Sequence, residues 1–196
     1  MAAAIIFGVT LAVSLLGLWV APWIIAQNLF RPFWFLPRRQ YWTVISNGFV
    51  HADLGHLLFN SLTYWFFAFP LERVIGTPRF VALYFIGLAA SNTGTYFKHR
   101  RDPDYACLGA SGAILALLFA SIVYFPRQSI VIMPIPVPIP APLFAIGYLI
   151  YTFYAARRQR GRINHDAHFD GALAGLAFVG VTDPSAWERA ARIVLG

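Results

Sequence analysis

The sequence predicts an all-α, polytopic membrane protein with six transmembrane helices in one bundle. Hydrophobic residues make up 59% of the 196-residue chain and charged residues only 12%, whereas about 25% of the residues in a soluble domain are charged. Apolar segments alternate along the chain with stretches rich in proline, arginine and aromatic residues, as membrane helices alternate with interfacial loops. The length suits one domain, so we expect residues 1–196 to form a single membrane domain.

Six apolar segments are predicted to be helices, and proline, basic or polar residues mark their ends. The first lacks a basic leader and a small-residue cleavage site, so we expect a retained helix rather than a signal peptide. Pro70 is expected to end the second helix, and Asp183 with Pro184 to end the sixth. The fourth is short, about 22 Å at 1.5 Å per residue, so its first residue should lie below the membrane surface. The predicted helices span residues 5–26, 54–69, 80–97, 111–125, 143–156 and 168–181.

Two connecting segments have distinctive compositions. Residues 27–50 combine aromatic and basic side chains, which is typical of a loop in the membrane interface. Residues 133–142 alternate proline with other residues, so we expect an extended, polyproline-II-like loop there. Basic residues exceed acidic ones by 15 to 8, which in a membrane protein indicates lipid headgroups as partners and not nucleic acid.

A serine between glycines opens the fourth predicted helix, in the run Gly109-Ala110-Ser111-Gly112. Backbone N–H groups and the positive end of the helix dipole lie beside Ser111, where a developing oxyanion would be stabilised. The glycines allow another backbone or a substrate to approach closely. Alone, such a motif more often marks helix packing, so a catalytic interpretation depends on two further segments.

The second predicted helix carries two polar residues, His56 and Asn60, on one face because they are four positions apart. Both can donate hydrogen bonds, as a pair of oxyanion donors must. The alternative is an interhelical hydrogen-bonded contact, which is common for these residue types in membranes. No metal or other cofactor is expected, because His51 and His56 lack i,i+4 spacing and a cysteine or glutamate partner.

The sixth predicted helix carries Gly171 and Gly175, a G-x-x-x-G face that can press closely against a neighbour. His168 lies three residues before Gly171 and therefore on the same face. If the neighbour is the fourth helix, His168 can reach Ser111, and a neutral histidine is suited to take the serine proton. His165 lies further into the loop and fits this face less well.

Together these residues resemble the rhomboid family of intramembrane serine proteases. The resemblance covers essentially the whole chain, and its motifs fall on the second, fourth and sixth predicted helices. The matching residues are His51, His56 and Asn60 in H-x-x-x-x-H-x-x-x-N, Gly109 to Gly112 in G-A-S-G, and His168, Gly171 and Gly175 in H-x-x-G-x-x-x-G. The sequence departs from the family at Tyr41-Trp42-Thr43, where many members have a Trp-Arg pair.

The resemblance implies a six-helix core, a Ser111–His168 dyad without an acidic third member, and cleavage of peptide bonds in or near transmembrane segments of other proteins. His56, Asn60 and the Ser111 N–H group would stabilise the oxyanion, and His51 would be structural. The expected partners are transmembrane protein substrates and membrane lipids, and the sequence does not indicate an oligomeric state. We expect an integral multi-pass protein of a plasma membrane or a bacterial inner membrane.

Other functions are weighed against the protease. A proteolytically inactive rhomboid-like protein would bind client helices, but such members lack the dyad, and both of its residues are present here. A small transporter would show repeated halves and broken helices at matching positions, which the sequence lacks. Cys107 is a possible nucleophile, but the sequence has no base at a matching position to take its proton. Asp170 should point away from the His168 face, near a water-exposed helix start.

The distribution of basic residues and the family resemblance predict opposite orientations of the chain in the membrane. The loops before the second, fourth and sixth predicted helices carry ten of the 15 Lys and Arg residues, and the positive-inside rule would place them in the cytoplasm. These ten are Arg31, Arg38, Arg39, Lys98, Arg100, Arg101, Arg157, Arg158, Arg160 and Arg162. The resemblance implies the reverse, with cytoplasmic termini and an active site open to the exterior or lumen, and we expect that orientation.

Overall fold

The computed structural model describes residues 1–132, 135–158 and 164–196. In chain order the elements are α1 (Ala2–Trp19), α2 (Trp23–Asn28), α3 (Pro32–Phe35), α4 (Thr43–Ser46), a 3-10 turn (Asn47–Phe49), α5 (Leu54–Ile75), α6 (Thr77–His99), α7 (Ser111–Tyr124), β1 (Ser129–Ile132), β2 (Ile135–Pro140), α8 (Ala141–Arg158), α9 (His165–Thr182) and α10 (Pro184–Leu195). By length and composition, α1 is the one described helix that is long and apolar enough to cross a membrane, and α7 is apolar but shorter.

α7 is the centre of the molecule. Every residue from Gly112 to Val123 is buried, and α5, α6, α8, α9 and α10 all contact this helix. A helix that is hydrophobic on all sides is stable only when other helices or lipid surround it. The residue at its start, Ser111, is therefore held by the most completely packed element of the fold.

Polar contacts fix the end of the bundle opposite Ser111. The Glu72 carboxylate, near the end of α5, accepts hydrogen bonds from the N–H groups of Ala2 and Ala3, at 2.7 and 3.0 Å. It also accepts one from the Thr77 hydroxyl at 2.7 Å. Glu72 thus supplies partners for the free N–H groups at the start of α1 and ties α1 to the turn between α5 and α6.

Two predicted helix ends are wrong, and His165, which was expected in the loop, is the first residue of α9. The predicted helix 5–26 is two helices, since α1 ends at Trp19 and α2 follows Pro22. Pro70 lies inside α5, which continues to Ile75. The lost hydrogen bond at Pro70 is offset by the burial of Leu71 and by the contacts of Glu72 in the next turn.

The prolines after α7 do not form the predicted polyproline-II loop. Residues 135–140 form β2, which pairs with β1 in antiparallel register, with Ile130 opposite Ile139. Alternate residues of an antiparallel strand direct their N–H groups away from the partner, so proline at every second position removes no ladder hydrogen bond. Met133 and Pro134 of the predicted loop lie outside the described residues.

Helix α10 was not predicted. The Asp183-Pro184 pair, interpreted as the end of a helix, also begins one: the Asp183 side chain accepts a hydrogen bond from the Ala186 N–H group at 3.2 Å, and Pro184 occupies the first turn. An N-cap aspartate followed by proline is a favoured helix start. Ala186 and Ala190 are buried, and α10 contacts α7 and α9.

Candidate active site

Ser111 is the first residue of α7, and no side chain caps this helix start. Three other described helices, α5, α9 and α10, are each capped by a side chain, from Asp53, Asn164 and Asp183 respectively. The first N–H groups of an α-helix have no partner within the helix. At α7 these groups lie beside the Ser111 hydroxyl with no side-chain cap, so they can bind a developing anion.

The start of α9 lies directly against the start of α7. A Cβ atom added at Gly171 would overlap the Gly112 carbonyl oxygen, and one added at Gly175 would overlap the Ala116 carbonyl oxygen. A Cβ atom at Gly112 would lie 3.3 Å from the Ala167 carbonyl oxygen. The glycines of α9 therefore bring the two backbones into contact, and the turn of α9 that bears His168 packs against Gly112, the residue after Ser111.

The ring of His168 is oriented by a residue that the sequence analysis did not identify. Its Nδ1 atom lies 3.1 Å from the hydroxyl oxygen of Tyr148 on α8. Among the described residues, no hydrogen bond joins Ser111 to His168. Catalytic hydrogen bonds are often long or poorly aligned in ligand-free enzymes and tighten when substrate binds. Nothing in the sequence spacing relates residue 148 to residue 168, because the two lie on different helices.

The two predicted oxyanion donors lie beside the loop that leads into Ser111. Gly109 has a φ of +113°, which favours glycine. A Cβ atom there would be 2.6 Å from Cε1 of His56 and 3.7 Å from Nδ2 of Asn60. The Gly109 N–H group donates to the Asn47 carbonyl oxygen at 2.9 Å. Glycine is thus required at 109 by backbone conformation and by space, and the loop is fixed against both donor residues.

His51 orients Asn60. Asn60 Nδ2 donates to His51 Nε2 at 2.8 Å, so Nε2 is the acceptor and Nδ1 carries the proton, which it donates to Ser14 Oγ at 2.9 Å. The Ser14 hydroxyl in turn donates to the Phe49 carbonyl oxygen at 3.1 Å. His51 is fully buried. Burial is the main cause that lowers its pKa to about 3, and the charge of the neighbouring His56 is the second cause. His51 is therefore neutral, as this hydrogen-bond chain requires.

The long segment before α5 is held to α6 by a pair of amides. Asn47 Nδ2 donates to Asn92 Oδ1 at 2.9 Å, and Asn92 Nδ2 donates to the Val44 carbonyl oxygen at 2.8 Å. Both asparagines are buried, where unpaired amide groups would be costly. Since Asn47 also binds Gly109, this pair connects the segment to the loop before Ser111.

Two other polar residues lie away from the proposed chemistry. Burial raises the pKa of the Cys107 thiol to about 12, so it is not the thiolate that a nucleophile requires. Asp170 packs against Gly94 of α6, where an added Cβ atom would overlap its carboxylate. Its predicted position at a water-exposed helix start is wrong, because α9 begins at His165 and Asp170 lies in the second turn, partly buried.

The described residues thus define a helical bundle with a serine at the start of its central helix and a histidine on the adjoining helix. A family model for the rhomboid domain matches residues 38–183. The chain belongs to the rhomboid family, whose members are embedded in membranes and are generally serine proteases that act on membrane proteins. The family resemblance seen in the sequence is confirmed.

Curated relatives include bacterial and mitochondrial proteins. YdcA of Bacillus subtilis, named as a candidate rhomboid protease, is 41% identical over 94 residues, 46% of each chain. Rhomboid protein 1, mitochondrial, of Saccharomyces cerevisiae is 27% identical over 175 residues, 85% of this chain and 49% of the yeast protein. Presenilin-associated rhomboid-like protein A, mitochondrial, of Danio rerio is 27% identical over 148 residues, 74% of this chain and 39% of the fish protein. The chain spans about half or less of the length of these relatives.

Proposed function

We propose that this protein is an intramembrane serine endopeptidase that uses a Ser111–His168 dyad. Ser111 Oγ attacks the scissile carbonyl carbon while His168 Nε2 takes the hydroxyl proton. The tetrahedral intermediate collapses to an acyl-enzyme as His168 gives that proton to the leaving amine. A water molecule, deprotonated by His168, then attacks the ester carbonyl carbon, and His168 returns that proton to Ser111 Oγ as the acid product leaves.

The oxyanion of each tetrahedral intermediate would be held by three groups. These are the Ser111 N–H group, the side chain of His56 and the Asn60 N–H that His51 leaves free. The support is the position of His56 and Asn60 beside Gly109, together with the absence of a side-chain cap at the start of α7. Donors fixed before the reaction stabilise a developing charge without the cost of reorganising.

The observation that carries the proposal is the contact between Gly171 and the Gly112 carbonyl. It brings the turn of α9 that bears His168 against the residue next to Ser111. The close packing of α9 on α7 accounts for Gly171 and Gly175, whereas Gly109 is required by its φ of +113° and by the nearby His56 ring.

We expect the substrates to be transmembrane or membrane-proximal segments of other membrane proteins. Large apolar side chains are exposed on α1, α5 and α8, among them Ile5, Val9, Phe59, Trp65, Phe66, Ile146 and Ile150. Such surfaces are stable against lipid and can accept another helix. The partners proposed are therefore substrate helices and membrane lipids, in a multi-pass protein whose termini face the cytoplasm.

A serine-directed fluorophosphonate probe on the purified protein tests the proposal. The probe should label the wild-type protein and not Ser111→Ala, and the wild-type protein should cleave a labelled transmembrane peptide. Cleavage at the wild-type rate by Ser111→Ala would exclude the dyad. Absence of both labelling and cleavage, with retained binding of a client helix, would favour the inactive rhomboid-like alternative.

A further inference from the structure

Among the described residues, the Tyr148 hydroxyl is the one side-chain group that hydrogen bonds to the ring of His168, at 3.1 Å from Nδ1. In a serine hydrolase with three members, a carboxylate occupies this position. Among the described residues, neither carboxylate of α9 hydrogen bonds to the His168 ring. Asp166 pairs with Lys98 at 2.7 Å, and Asp170 packs against Gly94.

The position of the Tyr148 ring does not depend on its hydroxyl group. The ring stacks on Phe144, one turn earlier on α8, with centroids 5.4 Å apart. It also packs against Phe119 of α7, with centroids 5.8 Å apart. Two aromatic contacts, one from the central helix, therefore fix the hydroxyl group in front of His168.

The contact at Nδ1 decides which ring nitrogen faces the nucleophile. With Nδ1 occupied by Tyr148, Nε2 is the nitrogen that can accept the Ser111 proton. A neutral histidine can accept at Nε2 only when its proton is on Nδ1. An oxygen acceptor at Nδ1 favours this tautomer, and a tyrosine hydroxyl can rotate its own hydrogen away to serve as one.

We propose that Tyr148 is a positioning residue of the hydrolytic reaction, accepting the Nδ1–H of His168 and holding Nε2 toward Ser111. The proposal rests on the function proposed above for Ser111 and His168. When Nε2 takes the Ser111 proton, the imidazolium keeps its Nδ1 proton and its Nδ1–H group donates a hydrogen bond to the Tyr148 oxygen. When Nε2 gives the proton to the leaving amine, the ring returns to the same neutral tautomer. Tyr148 neither gains nor loses a proton.

A neutral acceptor suits this location. A carboxylate at membrane depth is expensive unless it is paired, whereas the tyrosine hydroxyl carries no charge and its ring packs as an apolar side chain. A neutral oxygen also stabilises the imidazolium less than a carboxylate does. Loss of the carboxylate partner in a three-member site lowers kcat about 10⁴-fold, and we expect a smaller loss here.

The test compares Tyr148→Phe, which keeps both aromatic contacts, with Tyr154→Phe, an exposed tyrosine on the same helix. Tyr148→Phe should lower kcat about 10- to 100-fold, the loss found when the hydrogen-bond partner of a metal-bound histidine is removed, with little change in KM. Tyr154→Phe should change neither. An unchanged kcat in Tyr148→Phe would overturn the proposal.

A second measurement does not depend on activity. The ¹⁵N chemical shifts of the His168 ring, measured in the full-length Ser111→Ala protein, should show the proton on Nδ1. Adding Tyr148→Phe should abolish that preference. A proton on Nε2 in Ser111→Ala alone would overturn the proposal, even if the Tyr148→Phe variant did not fold. A wild-type protein that neither cleaves nor reacts with a serine probe, but shows the Nδ1 proton, would contradict the proposed function and not this contact.

Discussion

Asn60 Nδ2 donates a hydrogen bond to His51 Nε2 at 2.8 Å, and this contact assigns different tasks to two residues of one motif. His51 is fully buried, and its other ring nitrogen, Nδ1, hydrogen bonds to Ser14 Oγ. Asn60 lies at the edge of the site beside Gly109. The histidine thus holds the amide in place, and the second N–H group of the amide is the one that we propose for the oxyanion.

Asn60→Ala should therefore impair turnover more than folding. Loss of one oxyanion donor typically lowers kcat about 10²- to 10³-fold. Steady-state cleavage of a transmembrane peptide and thermal unfolding in detergent measure the two effects. Thr63→Ala is the control, because Thr63 lies on the same helix and its hydroxyl bonds only to the Phe59 carbonyl. If Asn60→Ala lowers the melting temperature but leaves kcat unchanged, the residue is an interhelical contact.

Ser111 and His168 should behave as one unit. The variants Ser111→Ala, His168→Ala and the double variant are expected to lose similar amounts of activity, because removing either residue abolishes the same proton transfer. Single-turnover cleavage rates provide the comparison. If the fold-loss of activity in the double variant equals the product of the two single-variant losses, the two residues act independently.

Gly171→Ala should separate the helices that carry the proposed dyad. The added methyl group meets the Gly112 carbonyl, and such overpacking costs about 1–3 kcal/mol of folding free energy. Activity should fall as well, because α9 must move away from Ser111. Gly147→Ala on α8 is the matched control, since nothing lies within 4 Å of its added Cβ atom. Equal melting temperatures and rates for the two variants would contradict the close contact.

Glu72→Ala should destabilise the end of the bundle far from Ser111. It removes the acceptor for the Ala2 and Ala3 N–H groups, and each unsatisfied buried donor costs about 1–3 kcal/mol. The melting temperature in detergent should fall, and kcat measured well below it should be little changed. Glu188→Ala on the exposed face of α10 provides the control. A melting temperature equal to that of the control would show that the carboxylate does not cap α1.

Orientation can be measured with single cysteines in a Cys107→Ser background. Asp104 lies in the exposed loop before Ser111, and Glu188 is exposed on α10 near the other end of the bundle. With cytoplasmic termini, a membrane-impermeant thiol reagent should label Asp104→Cys in intact spheroplasts and label Glu188→Cys only after lysis. The reverse pattern would show that the basic loops face the cytoplasm, as the positive-inside rule predicts.

The sequence by itself determined the family and the helical class, and it predicts the residues of the proposed site. Composition and apolar periodicity report local environment directly, and the spacings of His56 to Asn60 and of His168 to Gly171 place each pair on one helix face. The end of α5 was misjudged at Pro70, and α10 was missed at Pro184. Proline marks both interruptions and beginnings of helices, and the surrounding contacts decide between them.

Only the tertiary structure decided which faces meet. Glycine spacing on α9 predicts a close neighbour but does not name it, and the contact with Gly112 identifies α7. Ser14, the partner of His51, lies on α1, and Tyr148, the partner of His168, lies on α8; they are 37 and 20 positions away in the chain. Hydrogen bonds between helices depend on their rotation and depth, which the packing of the whole bundle sets. For that reason no local pattern in the sequence predicts these hydrogen bonds.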